Sequence, residues 1–144
     1  ERIVSIDLDC VITGDLGPIF GRTEPFIAWG DTNPLTFYNG GLLMFTAGAV
    51  PQLWDEFIAD PALCIALAQK RRQFGSDQGW ISARLGPARP KFTTRAGVYS
   101  YRNHVRLRAS QALPAGARIV LFHGAYDPWH AECLRVPWVR EHWR

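Results

Sequence analysis

Two aspartates separated by one residue are the most specific chemical feature of this sequence. Asp7 and Asp9 follow residues 3–6, an apolar and β-branched run that predicts a buried strand. Because side chains two apart on a strand point to one face, both carboxylates can reach a single cation. Paired carboxylates suit a hard divalent ion that leaves positions open for phosphate oxygens. The same pattern is also typical of a turn or a solvated strand edge, so the pair alone does not establish a metal site.

A histidine stands at the end of another predicted strand. Residues 118–122 predict a strand that leads directly into His123 and Gly124. A neutral imidazole is a good ligand for manganese or zinc, although a lone histidine more often makes only a backbone hydrogen bond. No two histidines have the i, i+4 spacing of a helical zinc-protease site.

Two further motifs carry polar groups that sequence alone leaves open. Asn39, Gly40 and Gly41 are typical of a tight turn between strands. Asp77 and Gln78 follow a serine and are typical of a capped helix start. The chain has no phosphate-binding P-loop, no Gly-x-Gly-x-x-Gly fingerprint and no Gly-x-Ser-x-Gly elbow.

Strands and helices alternate along the chain, which predicts an α/β or α+β class. The 144 residues fit a single domain, residues 1–144. Apolar β-branched runs predict strands at residues 3–6, 26–29, 42–45, 98–101 and 118–122. Helical spacing and capping residues predict helices at residues 51–58, 61–69, 77–81 and 137–143.

The composition excludes several classes of protein. The net charge is +3, and the basic residues are scattered, grouping only at residues 70–72 and 102–108, which does not favour nucleic-acid binding. No apolar run approaches the ~20 residues of a membrane span. The basic group at residues 102–108 suits a solvated surface, with contact to an anionic acceptor or to lipid headgroups as the alternatives. Three cysteines without a C-x-x-C pair predict reduced thiols in a cytoplasmic protein. The six tryptophans suit core packing, with stacking on sugar rings as the alternative.

Four motifs in one order resemble family 8 glycosyltransferases. These motifs are Ile-Asp-Leu-Asp-Cys-Val-Ile, Phe-Tyr-Asn-Gly-Gly-Leu-Leu-Met-Phe, Gly-Ser-Asp-Gln-Gly-Trp-Ile and Val-Leu-Phe-His-Gly-Ala-Tyr-Asp-Pro-Trp. The resemblance extends over residues 3–143 and implies the metal-site half of a bacterial enzyme with the GT-A fold, a mixed sheet flanked by helices.

The resemblance also implies a role for each motif residue. Asp7 and Asp9 match the family's D-x-D, which coordinates Mn²⁺ (or Mg²⁺) bridging the donor diphosphate. His123 would complete the metal site, and backbone groups at Gly124 would touch the diphosphate.

The sugar-binding roles fall on the other two motifs. Asn39, Gly40 and Gly41 would lie beside the donor sugar. Asp77 would hold sugar hydroxyls, and Gln78 would face the anomeric carbon, so these two residues are the predicted catalytic pair.

This sequence departs from the family pattern at two positions. A gapless match places Leu121 where better-known members have the histidine, and Asp127 where they have a lysine that neutralises diphosphate charge. His123 lies two residues from Leu121, so on a strand it would face the same way and still reach the metal. A nearby arginine is a candidate replacement for the lysine, but the sequence does not identify which.

Only six residues precede the first aspartate of the D-x-D. In this family the strands that hold the nucleotide's base and ribose come before that motif. We therefore expect the chain to be a fragment that lacks the N-terminal nucleotide-binding strands of a longer protein.

The resemblance implies a hexosyltransferase-like enzyme that is metal-dependent and retaining. It would transfer sugar from a nucleotide donor, UDP-linked in most relatives, to an acceptor hydroxyl, as in surface polysaccharide synthesis. The alternative is a non-catalytic carbohydrate-binding or assembly module derived from such an enzyme. A metal-dependent phosphoester hydrolase would use the aspartates but leave the Asn-Gly-Gly and Asp-Gln motifs without a role.

Overall fold

The computed structural model describes residues 1–30, 33, 35–70 and 75–143. The α/β prediction is confirmed, with mixed sheets flanked by helices. The strands are β1 (Arg2–Ile6), β2 (Cys10–Ile12), β3 (Phe26–Gly30), β4 (Tyr38–Thr46), β5 (Lys91–Phe92), β6 (Val98–Ser100) and β7 (Ile119–Leu121). The helices are α1 (Gly17–Phe20), α2 (Gln52–Ala59), α3 (Pro61–Lys70), α4 (Asp77–Leu85), α5 (Ala131–Leu134) and α6 (Pro137–His142), with a 3-10 turn at Thr94–Ala96 and a π-helical turn at Tyr101–Val105.

The chain divides into two compact units. The first unit comprises Glu1–Ser5 and Thr23–Lys91, and the second comprises Ile6–Arg22 and Phe92–Arg144. The single domain predicted from length stays a prediction.

A sheet of strand order β1-β4-β3-β5 forms the centre of the first unit. Strands β3 and β4 pair antiparallel, and the buried side chains of Phe26, Ala28 and Tyr38 pack together there. The Tyr38 hydroxyl donates to the Gly86 carbonyl at 2.6 Å and accepts from the Arg89 N–H at 3.0 Å. The single polar group of this buried side chain is therefore satisfied both as a donor and as an acceptor.

The helix starts of the first unit follow the capping residues seen in the sequence. Pro51 directly precedes α2, Asp60 Oδ1 accepts from Leu63 N at 2.9 Å, and Ser76 Oγ accepts from Gly79 N at 3.2 Å. The Asp60 and Ser76 side chains each satisfy an N–H that the helix itself leaves unpaired, whereas Pro51 makes no such bond. The predicted starts of α3 and α4 are thus confirmed, and α2 begins one residue after the predicted Pro51.

The first predicted strand exists, but its predicted burial is wrong. Ile3 and Val4 are each 39% exposed. The physical reason is that β1 lies at the edge of its sheet, so one side has no neighbouring strand. The strand ends at Ile6, and Asp7 and Asp9 lie in the segment between β1 and β2. The argument that both carboxylates share one strand face therefore does not apply.

The Asn-Gly-Gly motif is not a turn between strands. It lies inside β4, where the pairing with β3 shifts from Ala28↔Leu43 to Trp29↔Asn39. Gly40 and Gly41 fall in that irregularity, where a missing side chain allows the local bend.

A sheet of order β2-β7-β6 forms the centre of the second unit. Strand β2 runs antiparallel to β7, and β6 runs parallel to it. The Tyr101 and Phe122 rings stack with centroids 4.3 Å apart, and both are buried beside Trp138. Tyr101 was predicted to end a strand, but it begins the π-helical turn.

Three tryptophans serve the core, as the sequence favoured. Trp29, Trp80 and Trp138 are buried, whereas Trp54 and Trp129 are 68% and 48% exposed. All three cysteines are free thiols. In the described ranges no helix is long and apolar enough to cross a membrane. Of the basic group at residues 70–72, residues 71 and 72 lie outside the described part of the chain.

Candidate functional site

Two sequence motifs meet in the first unit. A Cβ added at Gly40 would lie 3.4 Å from Asp77 Oδ2 and 3.9 Å from Gln78 Nε2. The glycine of the β4 irregularity therefore faces the first turn of α4 without a side chain between them. We call Asn39, Gly40, Gly41, Asp77 and Gln78 the Asn-Gln cluster.

Two hydrogen bonds accepted by α4 fix the position of this helix against β4. Ser82, fully buried on α4, accepts from Phe37 N at 2.9 Å and from Tyr38 N at 3.3 Å, which ties the helix to the start of β4. On the strand, Asn39 Oδ1 accepts from Gly41 N at 2.8 Å. The buried Ser82 therefore sets the position of the helix start relative to Gly40.

The exposed groups of the Asn-Gln cluster suit hydroxyl recognition. Asp77 is exposed and Gln78 is half-buried. An ionised carboxylate accepts hydrogen bonds, and a primary amide both donates and accepts them. Together they can hold several hydroxyl groups of a sugar.

A cavity of about 430 Å³ adjoins Asp77 within the first unit. Its walls are mostly aromatic and aliphatic, including Phe26, Trp54, Phe57 and Trp80. Asp77 and Ser76 supply the polar groups at its lining. The cavity thus pairs an apolar wall with a carboxylate, a composition common in small-molecule sites.

Carboxylates gather in the second unit. Phe122 N donates to Asp9 O at 2.8 Å, so the D-x-D segment lies beside the end of β7. Burial raises the pKa of the Asp9 carboxyl, and the negative charges of Asp7 and Asp127 raise that pKa further. A cation bound here would reduce the electrostatic repulsion between these carboxylates.

His123 is held by a buried serine in the same unit. The Ser100 hydroxyl lies 2.7 Å from His123 Nε2 and accepts from Asn103 N at 3.0 Å. Parallel pairing of β6 with β7 sets Ser100 opposite Leu121, two residues before the histidine. Metal ligation through Nε2 would require that 2.7 Å contact to break.

The fit to a divalent ion rests on the aspartates. Among the residues that the structure describes, no group of three or more His, Cys, Asp or Glu side chains is arranged to hold a metal. Two carboxylates completed by water and phosphate oxygens nevertheless match how Mg²⁺ is commonly bound. The metal-ligand roles of Asp7, Asp9 and His123 stay predictions.

Arg102 lies beside Gly124, one of the predicted site residues, and the sequence did not identify this contact. Gly124 has φ +77°, and a Cβ there would lie 3.2 Å from Arg102 Nη1. The only sequence signal was the basic group at residues 102–108. The Asp127 carboxylate is already engaged, with its Oδ2 3.2 Å from His130 Nε2.

The predicted site residues therefore fall into two groups. The Asn-Gln cluster lies in the first unit, and Asp7, Asp9, His123 and Gly124 lie in the second.

Comparison with known proteins identifies the fold. No protein-family model and no curated protein sequence matches this chain. Among solved structures, the chain is similar to the galactosyltransferase LgtC, crystallised in complex with donor and acceptor sugar analogs, with a TM-score of 0.63 and 13% sequence identity. The match covers 96% of this chain and 58% of that one. The chain therefore has a glycosyltransferase-like α/β fold and spans little more than half the length of that galactosyltransferase.

Proposed function

We propose that this chain carries the sugar-binding and metal-binding residues of a glycosyltransferase, which moves a sugar from a nucleotide sugar to an acceptor hydroxyl. The observation that supports it most is the 3.4 Å approach of the Gly40 position to Asp77 Oδ2, within a glycosyltransferase-like fold. UDP as the nucleotide, retention of configuration and a role in the bacterial cytoplasm on surface-polysaccharide precursors come from the sequence resemblance.

The Asn-Gln cluster would position the donor sugar. Asp77 accepts hydrogen bonds from sugar hydroxyls, and Gln78 lies beside the anomeric carbon. The absence of a side chain at Gly40 lets the strand backbone approach the Asp77 carboxylate closely, which fixes where that carboxylate meets the sugar. Holding the ring in one orientation lowers the entropic part of the barrier to transfer.

Asp7 and Asp9 would hold Mn²⁺ or Mg²⁺, with His123 as a further ligand. When bound, the ion supplies Lewis-acid stabilisation for negative charge on the leaving diphosphate. The 2.7 Å contact occupies Nε2, so His123 would ligate through Nδ1 while Ser100 holds the ring in place, as outer-shell partners of metal ligands do.

The sugar role is tested by Asp77→Asn against the matched control Asp55→Asn. Both aspartates are exposed in the first turn of a helix of the first unit. With Mn²⁺ and UDP-hexoses, and with water as the acceptor of the sugar, we expect Asp77→Asn to lower kcat for UDP release by about 10- to 100-fold, the worth of one charged hydrogen bond. The control should match the wild type. Equal activity of both variants would remove Asp77 from the mechanism.

The metal role is tested by calorimetric titration with UDP, with and without Mn²⁺. We expect Mn²⁺-dependent binding in the wild type and in Glu141→Gln, an exposed acidic control on α6, and its loss in Asp9→Asn. Glycan binding without any nucleotide binding would instead support the carbohydrate-binding module.

A further inference from the structure

An arginine lies directly over the His-Gly segment of the second unit. Arg102 is exposed in the π-helical turn, and its Nη1 is 3.2 Å from the place a Gly124 Cβ would occupy. Because Gly124 has no side chain, the guanidinium lies against its open face. π-Helical turns are rare in proteins, and those that occur are often found at functional sites.

The turn that carries Arg102 is tied to the same segment. The Ser100 hydroxyl accepts from Asn103 N at the start of the turn and contacts His123 Nε2 at 2.7 Å. One fully buried hydroxyl thus joins the backbone on both sides of Arg102 to the residue before Gly124. The base of the arginine side chain is therefore positioned, while its charged end faces solvent.

The positive charge of Arg102 has no ion-pair partner among the residues that the structure describes. In the described part of the chain, its guanidinium makes no salt bridge or hydrogen bond. The nearby Arg106 instead stacks on the Tyr126 ring at 4.6 Å, and Asp127 contacts His130. The guanidinium N–H groups of Arg102 are therefore available to bind a ligand.

We propose that Arg102 binds the diphosphate of the nucleotide-sugar donor, with the Gly124 backbone beside it. A guanidinium presents a planar fork of N–H donors that matches two phosphate oxygens. Its positive charge also offsets the negative charge of the departing nucleoside diphosphate. This inference rests on the proposed function. It assigns to Arg102 the positive charge beside the diphosphate, which the carboxylate of Asp127 cannot supply.

The test is calorimetric titration of the full chain with UDP and Mn²⁺, using Arg102→Ala, Arg102→Lys and Arg95→Ala. Arg95 is a matched control because it is also an exposed arginine of the second unit, but it precedes β6 whereas Arg102 follows that strand. We expect the Kd for UDP to rise about 10- to 100-fold in Arg102→Ala, less in Arg102→Lys, and less than about twofold in the control. Far-UV circular dichroism checks that each variant folds.

The outcomes separate this inference from the function on which it rests. If the wild type binds UDP and Asp9→Asn does not, equal Kd values for Arg102→Ala and Arg95→Ala would overturn the role of Arg102 alone. If the wild type binds neither UDP nor inorganic pyrophosphate in the presence of Mn²⁺, both proposals fall, because the diphosphate is the part of the donor that these residues would contact. Loss of affinity for uridine as well as for UDP in Arg102→Ala would place Arg102 away from the phosphates and overturn the inference.

Discussion

The Ser100 hydroxyl contacts both a backbone N–H and the ring of His123 in the second unit. Its removal should therefore lower the stability of the protein and change the environment of His123. Ser100→Ala removes the contact to His123 Nε2 at 2.7 Å and the acceptor for Asn103 N at 3.0 Å. The hydroxyl is fully buried, whereas its two partners are half-buried and partly reachable by water. At about 1 kcal/mol for each hydrogen bond, we expect the free energy of unfolding to fall by about 2 kcal/mol.

The assay is urea unfolding of Ser100→Ala, His123→Ala and the double variant. Because Ser100 and His123 share a hydrogen bond, the two losses should not add, and we expect a coupling energy of about 1 kcal/mol. Ser82→Ala is the control, since the Ser82 hydroxyl is equally buried and also has two hydrogen-bond partners, both of them backbone N–H groups of the first unit. The ¹⁵N shift of His123 Nε2 should change in Ser100→Ala and stay constant in Ser82→Ala.

A coupling energy below about 0.5 kcal/mol, within the range of independent sites, would refute the reasoning. An unchanged His123 ¹⁵N shift in Ser100→Ala would do the same.

Two further predictions concern backbone strain and pH. Gly97→Ala should lower the free energy of unfolding by about 3–5 kcal/mol, because φ is +79° and the new Cβ would lie 2.6 Å from the Gly116 carbonyl oxygen. Gly116→Ala, with φ +75° and nothing within 4 Å, should cost only about 1–2 kcal/mol, and equal losses in urea unfolding would contradict the steric argument. The hydrogen bonds from Arg84 lower the pKa of the Glu56 carboxyl from 4.5, so the stabilisation is present at neutral pH and is lost as the pH falls below 4.5 through the folded-state pKa. Stability measured against pH for wild type and Arg84→Met should therefore converge in acid, and a constant difference would rule out this pair as its cause.

Local patterns in the sequence predicted the helix starts well. Asp60 and Ser76 each cap a helix by bonding an N–H three residues ahead, an interaction that needs no distant partner. The strands at β3 and β7 were predicted for the same reason, since β-branched and apolar runs of that length favour extended backbone. Such features depend on neighbours along the chain, so one sequence contains the information for them.

Features that depend on strand order could not be predicted in this way. The exposure of Ile3 follows from the edge position of β1, which pairs with a strand more than thirty residues later. The Asn-Gly-Gly motif was expected in a turn because Asn-Gly favours turns locally. Its place inside β4 is set by the pairing with β3.

By itself, the sequence determined the α/β class, the capped starts of α3 and α4 and the residue types able to bind a cation and a sugar. Tertiary structure alone decided that Gly40 meets Asp77, that Ser100 holds His123, and that Arg102 lies over Gly124. The reason is physical: capping and periodicity act over three or four residues, whereas a site forms where packing brings distant segments of the chain into contact.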